Sequence, residues 1–457
     1  MKRKELLRII VGFSLVAVLA ISIPLMSGCT SPAPTPVPAK EVVAKIGFLA
    51  PLTGEAAGWG LPGLYGDEIW VEHFNADGGI TLSDGTHVTV ELVPYDNEYL
   101  AEKAITGGKK LVLEDGCVLV QMLGGHTAAA IVPWFTERGM VSTTLLPSDL
   151  TPETLYHLAP VEVHPFYNVT GPEWMAENYP DLKTVAITSQ DDELGRPGVA
   201  AKVAAFEAAG LEIVYDEFFD IATTDFAPVV SAMMATDPDI LCWDTAYPDY
   251  VNLMTQQAYE QGYEGMLESC TLDFYEAVID KTSVEFMEGF VWQFPDWDDP
   301  LLNEQDINPY SVLEPDEFWT EYNEKYPGTW GAVSWEYQGI LDQWAQAVRV
   351  ADSIEPMAVF EAWKSGDAYH PYGLGTWWGK PFWGIDNALM APWPVVQMQD
   401  GKAVVVELRS QLDWWERNKE IMIAVNEDYG EMWYQRMGIP KEEAIEKYGL
   451  LEEYEVK

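Results

Sequence analysis

Apolar positions along the chain follow a repeating two-part pattern. A short apolar run at 45–50 ends at Pro51, and Leu64, Ile69, Val71 and Phe74 then recur at helical spacing up to the turn at 75–79. Val88, Val90 and Leu92 alternate as one face of a strand. A helix over 100–114, a strand at 117–123, a helix over 128–138 and a strand at 140–144 continue the series. After Leu158-Ala159-Pro160 the pattern restarts. It predicts strands at 184–188, 213–217, 240–243 and 265–269, separated by helices over 199–209, 226–234 and 250–261. Short strands alternating with helices of this length imply an α/β fold with parallel sheets and right-handed crossovers. The restart implies two lobes, and in open sheets of this kind a ligand binds beyond the carboxyl ends of the strands.

Composition narrows the possible functions. The 457 residues amount to about three domains' worth of chain. At 48% hydrophobic and 22% charged they can bury a large core. Twenty-six Lys and Arg against 73 Asp and Glu give a net charge of −47. Such a polyanion repels a phosphate backbone, which argues against nucleic-acid binding. It also repels an anionic membrane surface, so membrane association requires a lipid or an apolar anchor. The 19 Trp and 22 Tyr suit either an aromatic-rich core or a surface that handles ligands.

The N-terminus has the features of an address signal. Lys2, Arg3, Lys4 and Arg8 precede an apolar stretch at 9–25 that Gly12 and Pro24 interrupt, short for a membrane-spanning helix. Leu25-Met26-Ser27-Gly28-Cys29 resembles the bacterial lipobox, which implies cleavage after 28 and lipidation of Cys29. Prolines at 32, 34, 36 and 38 then make 29–42 an extended tether. The expected location is therefore extracytoplasmic, held at the cell membrane by lipid. Of the other cysteines, Cys117 lies in an apolar run and reads as core, while a bridge between Cys242 and Cys270 stays open. The six histidines make no HExxH and the cysteines no CxxC, so no metal site is expected.

At the end of the first strand, Gly47-Phe-Leu-Ala-Pro-Leu-Thr-Gly54 resembles the opening signature of type I periplasmic binding proteins, in particular the branched-chain amino-acid receptors of ABC importers. The likeness continues in order through Asn75-Ala-Asp-Gly-Gly79, Lys110 to Gly116, Gly195, Thr224-Asp-Phe226, Glu288-Gly-Phe290 and Tyr337. It implies two α/β lobes of parallel sheets flanked by helices, joined by three hinge crossings. The first lobe is expected to combine 43–159 with 296–384, and the second 160–294 with 386–407. A helical C-terminal extension at 408–457 is expected to pack on one lobe. The implied protein is a monomeric binder, not an enzyme, that needs no cofactor and hands a small ligand to an ABC permease. A ligand-sensing receptor of the same fold is the alternative, and an extracellular hydrolase a weaker one.

The same likeness points to site residues. Leu146 (backbone) and Ser148 (hydroxyl) match a loop that contacts ligand, and one of Gly125, His126 and Thr127 stands where the family carries a ligand-binding serine. Leu194 replaces a stacking tyrosine, and the Thr245-Ala246-Tyr247 loop offers Tyr247 as a substitute ring. Thr271 and Asp273 lie near the position of an acidic partner for an ammonium, and Trp59 can wall the first-strand loop. These departures leave the ligand unnamed. With Arg196 as the one basic residue in these loops, neutral, zwitterionic or cationic ligands are favoured over polyanions.

Overall fold

The computed structural model describes residues 40–303 and 308–450. The signal segment, Cys29 and the tether up to residue 39 lie outside the described residues. The first sheet contains β1 (Glu41–Ala50), β2 (Ile80–Thr81), β3 (His87–Asp96), β4 (Leu119–Met122), β5 (Ser142–Thr143) and β6 (His157–Leu158), in the order β2-β3-β1-β4-β5-β6. β1 begins four residues before the expected strand and pairs parallel with β3 and β4, and its last five residues are buried. A strand covered on both faces reads as an apolar run, and Ile46 to Ala50 do so.

The second sheet contains β7 (Thr184–Ile187), β8 (Glu212–Tyr215), β9 (Ile240–Cys242), β10 (Met266–Glu268) and β11 (Val291–Trp292), all parallel. A small sheet of β12 (Ala368–His370), β13 (Gly373–Trp378) and β14 (Ala388–Met390) follows. The chain then returns to the second sheet as β15 (Pro392–Gln399) and β16 (Lys402–Ser410), which add antiparallel at the β11 edge. The resulting order is β16-β15-β11-β10-β9-β7-β8. Where the chain runs from one sheet toward the other, Ala159 exchanges backbone hydrogen bonds with Asn387 (2.8 Å) and Leu389 (2.9 Å).

Helices cover these sheets. The Val333–Ala351 helix lies across the Leu61–Ala76 helix, where Trp70 Nε1 donates to Asp342 Oδ1 at 2.7 Å. The approach is so close that a Cβ on Gly66 would collide with the carbonyl oxygen of Ser334. Cys117, Cys242 and Cys270 are all free and buried, so there is no Cys242–Cys270 bridge. Nine of the largest fully buried side chains are tryptophans, which assigns much of the aromatic excess to the core. Among the described residues, no helix is long and apolar enough to cross a membrane.

The C-terminal extension touches both lobes, a wider reach than packing on one. Its Gln411–Tyr429 helix lies on the Gly195–Ala208 helix of the second lobe, secured by Arg417 to Glu173 (2.5 Å) and Tyr429 to Asp216 (2.6 Å). The following segment returns to the first lobe, where Tyr448 donates to Glu153 at 2.5 Å and Trp433 packs beside Gly384.

Candidate functional site

Strand order locates the site. In the first sheet β3 and β4 flank β1, and in the second β8 and β9 flank β7, so the connections reverse direction at β1/β4 and at β7/β9. Loops at the carboxyl ends of strands next to such a reversal line a crevice. In the first lobe these are the loops after Ala50 and Met122; in the second, those after Ile187 and Cys242. The first loop is tied to the neighbouring strand, since Asp96 accepts from Leu52 N (2.9 Å) and Thr53 Oγ1 (2.6 Å).

The two sets of loops meet. Trp59 stands edge-on to Tyr247 with ring centroids 4.9 Å apart. Glu193 pairs with His126 Nδ1 at 2.7 Å and accepts from the Tyr99 hydroxyl at 3.1 Å. That pairing raises the His126 pKa and, mainly through the His126 hydrogen bond, holds Glu193 down at about 2. Gly125 has φ 65° and passes so near the Tyr99 hydroxyl that no side chain fits there.

Behind this rim the first-lobe loops satisfy most of their own polar groups, with Thr143 Oγ1 buried and unpartnered among the described residues. Thr127 Oγ1 donates to Gly124 O (2.5 Å), and Leu146 N donates to Thr144 Oγ1 (2.9 Å). Asp149 accepts from Gly125 N (2.8 Å) and Thr144 Oγ1 (3.1 Å), and burial pushes its carboxyl up to about 7. The carbonyl of Ser148 accepts from Arg436, a half-buried cation carried by the C-terminal extension. Sequence reasoning missed Arg436, because only the path of the chain returns it to Ser148.

In the second lobe, Asp192 accepts from the Tyr247 hydroxyl (2.7 Å) and from Leu194 N (3.1 Å), which fixes both expected cleft residues. Leu194 is buried and its carbonyl faces His164 Nε2 at 3.1 Å. Ala246 is buried, and Thr245 takes a left-handed φ of 49°. Gly198 leaves the room that Thr245 Oγ1 occupies. Beneath this loop, Lys202 is fully buried against Glu268 and, at 3.4 Å, Asp244. Cys242, Asp244 and Glu268 are the one group among the described residues with metal-like spacing. The Lys202 ammonium already supplies the cation there. Burial pushes Asp244 up to about 7.

The opposite end of the cleft is built differently. Asp273 reaches across to the first lobe, where Ala332 N donates to its Oδ1 at 3.0 Å, and burial pushes its carboxyl up to about 6. Thr271 Oγ1, one carboxylate oxygen of Glu162 and both of Glu336 are buried without a hydrogen-bond partner among the described residues. Burial raises the pKa of both glutamates; the charge of Glu336 adds to the effect on Glu162, and that of Asp273 to the effect on Glu336. Neither glutamate was expected at the site. Their signal was a lone acid in an apolar setting, Pro160-Val-Glu-Val163 and Trp335-Glu-Tyr337. Together the loops offer hydroxyls, rings and carboxylates between two lobes.

A family model described as periplasmic binding protein matches residues 43–403. No curated protein matches the sequence significantly. Solved structures share the fold at low identity. A leucine-binding protein, LivK, from Thermotoga maritima is 17% identical with a TM-score of 0.64, covering 81% of this chain and 99% of that one. The branched-chain amino-acid transporter substrate-binding protein LivJ from Streptococcus pneumoniae, in complex with isoleucine, is 18% identical with a TM-score of 0.64, covering 81% and 100%. A solute-binding protein of an ABC transporter from Rhodopseudomonas palustris BisB5, in complex with 3,4-dihydroxybenzoic acid, is 16% identical with a TM-score of 0.64, covering 81% and 98%. The matched span and the two-lobed architecture agree, and the chain belongs to the periplasmic binding protein family, a family of extracytoplasmic solute-binding proteins.

Proposed function

We propose that this protein is the lipid-anchored substrate-binding subunit of an ABC importer. It captures one small organic or amino-acid-like molecule between its lobes and delivers it, chemically unchanged, to a permease. The observation that carries this reading is the meeting of switch-point loops from both sheets, through Trp59–Tyr247 and His126–Glu193. A ligand that contacts both lobes stabilises the closed state by its differential affinity for it. Cys29, behind Leu25-Met-Ser-Gly28, supports the anchor. Leucine, isoleucine and hydroxybenzoate-type ligands, known from relatives of this fold, open the list of compounds to try.

A thermal-shift panel over charge classes tests the binding role. A true ligand stabilises by about 2.7 kcal/mol at a hundredfold excess over its Kd. It should be recovered intact after incubation; conversion of more than one equivalent per chain overturns the binder reading. For the anchor, Cys29→Ser should release the protein from membranes or block its processing. A mutant that remains processed, lipid-labelled and membrane-bound refutes lipidation at this residue.

A further inference from the structure

A cavity of about 130 Å³ opens between the lobes at the Asp273 end of the cleft. That is room for roughly four waters, or a compact head group. Its walls come from the second-lobe loops after β10 and β11 and from the 319–332 region that packs against them. Three carboxyl groups line it, Asp273, Glu276 and Asp296, and no lining residue is basic. Asp273 Oδ1 is held by Ala332 N (3.0 Å) and Asp296 Oδ2 by the Tyr275 hydroxyl (2.8 Å), which fixes both side chains without neutralising either. Burial holds Asp273 up at about 6 and Asp296 at about 7, as expected of acids short of counter-charge.

The other walls are aromatic. Trp319 and Trp330 meet at 73° with centroids 4.5 Å apart, forming a corner, and Tyr275 and Trp292 line the same cavity. Ring faces attract a cation most strongly where water is excluded. Beside this cavity Glu336, fully buried, has both carboxylate oxygens unpartnered, and its pKa is raised by burial and then by the charge of Asp273. Carboxylates fixed but unneutralised and an aromatic corner therefore line one interlobe space, and the orphaned Glu336, outside that lining, feels the charge of Asp273.

We propose that this cavity receives the positively charged head of the transported ligand, a small organic ammonium held by the rings of Trp319 and Trp330 and countered by Asp273 and Asp296. The proposal rests on the cleft-binding reading above and names its substrate class. A free carboxylate on the same head would meet only like charge, which disfavours an α-amino acid seated here.

Calorimetric titration of the full-length protein compares choline with 3,3-dimethylbutan-1-ol, its uncharged isostere, and with citrate. Choline should bind one per chain, about tenfold or more tighter than the alcohol, and citrate should not bind. Asp273→Asn and Trp319→Leu, each checked for native circular dichroism, should weaken choline about tenfold. The alcohol or citrate binding as tightly as choline overturns the proposal, as does choline binding that both variants leave intact. If choline fails while an uncharged or anionic compound stabilises the protein, the cation site is wrong and the binding role stands. If compounds of every charge class leave both heat signal and thermal stability unchanged, both readings fall.

Discussion

At the 124–149 end of the cleft, Thr127, Leu146, Asp149 and the carbonyl of Ser148 are all engaged by neighbours from their own chain, and Thr143 Oγ1 is the one buried side-chain atom of that segment without a partner among the described residues. At the 271–336 end, Thr271 Oγ1, one oxygen of Glu162 and both oxygens of Glu336 have no partner among the described residues. A buried polar group that is already paired shapes a surface, whereas an orphaned one costs free energy until something pairs with it. The two ends therefore divide the work. The first is a preassembled rim, and the second is where a ligand gains most from binding.

The largest effect should come from breaking the paired end. Asp149→Ala leaves Gly125 N without its acceptor, removes one acceptor of Thr144 Oγ1 and takes away the carboxylate that faces the Arg436 charge, and should cost about 2–4 kcal/mol in urea unfolding. If the loss stays below about 1 kcal/mol, this end is not held by that network.

The unpaired end should respond to pH. Asp273 and Asp296 titrate at about 6 and about 7 when folded, above the ordinary carboxylate range, so the folded state retains protons that the unfolded state has released. Their contribution is complete below about pH 4 and is lost as pH rises through 6 and 7. Between pH 5 and 7.5 the wild type should therefore lose about 2–4 kcal/mol relative to the Asp273→Asn/Asp296→Asn variant. Buried His157, His164 and His370, held at about 3, about 3 and about 4, push the other way but are common to both proteins and cancel. Parallel pH curves for the two proteins would contradict the assignment.

Replacing an orphaned charge should help folding. Glu336→Met is expected to raise stability at pH 8 by about 1–2 kcal/mol, because an apolar side chain of similar size no longer buries an unpaired carboxyl. Destabilisation would mean that Glu336 has a partner within the fold. The smallest effect belongs to the rim ion pair. His126 and Glu193 are more than 40% exposed, so His126→Ala should cost less than about 1 kcal/mol. With its pKa raised, the contribution of His126 is complete below about 6.5 and fades at higher pH. A pH-independent difference between wild type and variant would sink that account.

The alternating apolar runs made the two parallel sheets legible, because each strand carries its burial in its own residues. The loops after β1, β4, β7 and β9 could be found because strand ends are local features. What escaped was set by long-range return of the chain. Glu336 sits 63 positions after Asp273 and meets it only when the lobes pack, and Arg436 reaches Ser148 only through the extension. Lys202, inside Ala200-Ala-Lys-Val-Ala204, falls within the helix predicted over 199–209, and nothing local marks that its partners Asp244 and Glu268 sit at the ends of other strands.

Native mass spectrometry of the protein isolated without denaturation, followed by mass measurement of whatever unfolding releases, tests the central claim most directly. The account predicts one small molecule per chain, absent after unfolding and identical in mass before and after prolonged incubation with the protein. A released compound whose mass changes with incubation would contradict it. So would a protein that retains nothing and gains no thermal stability from compounds of any charge class.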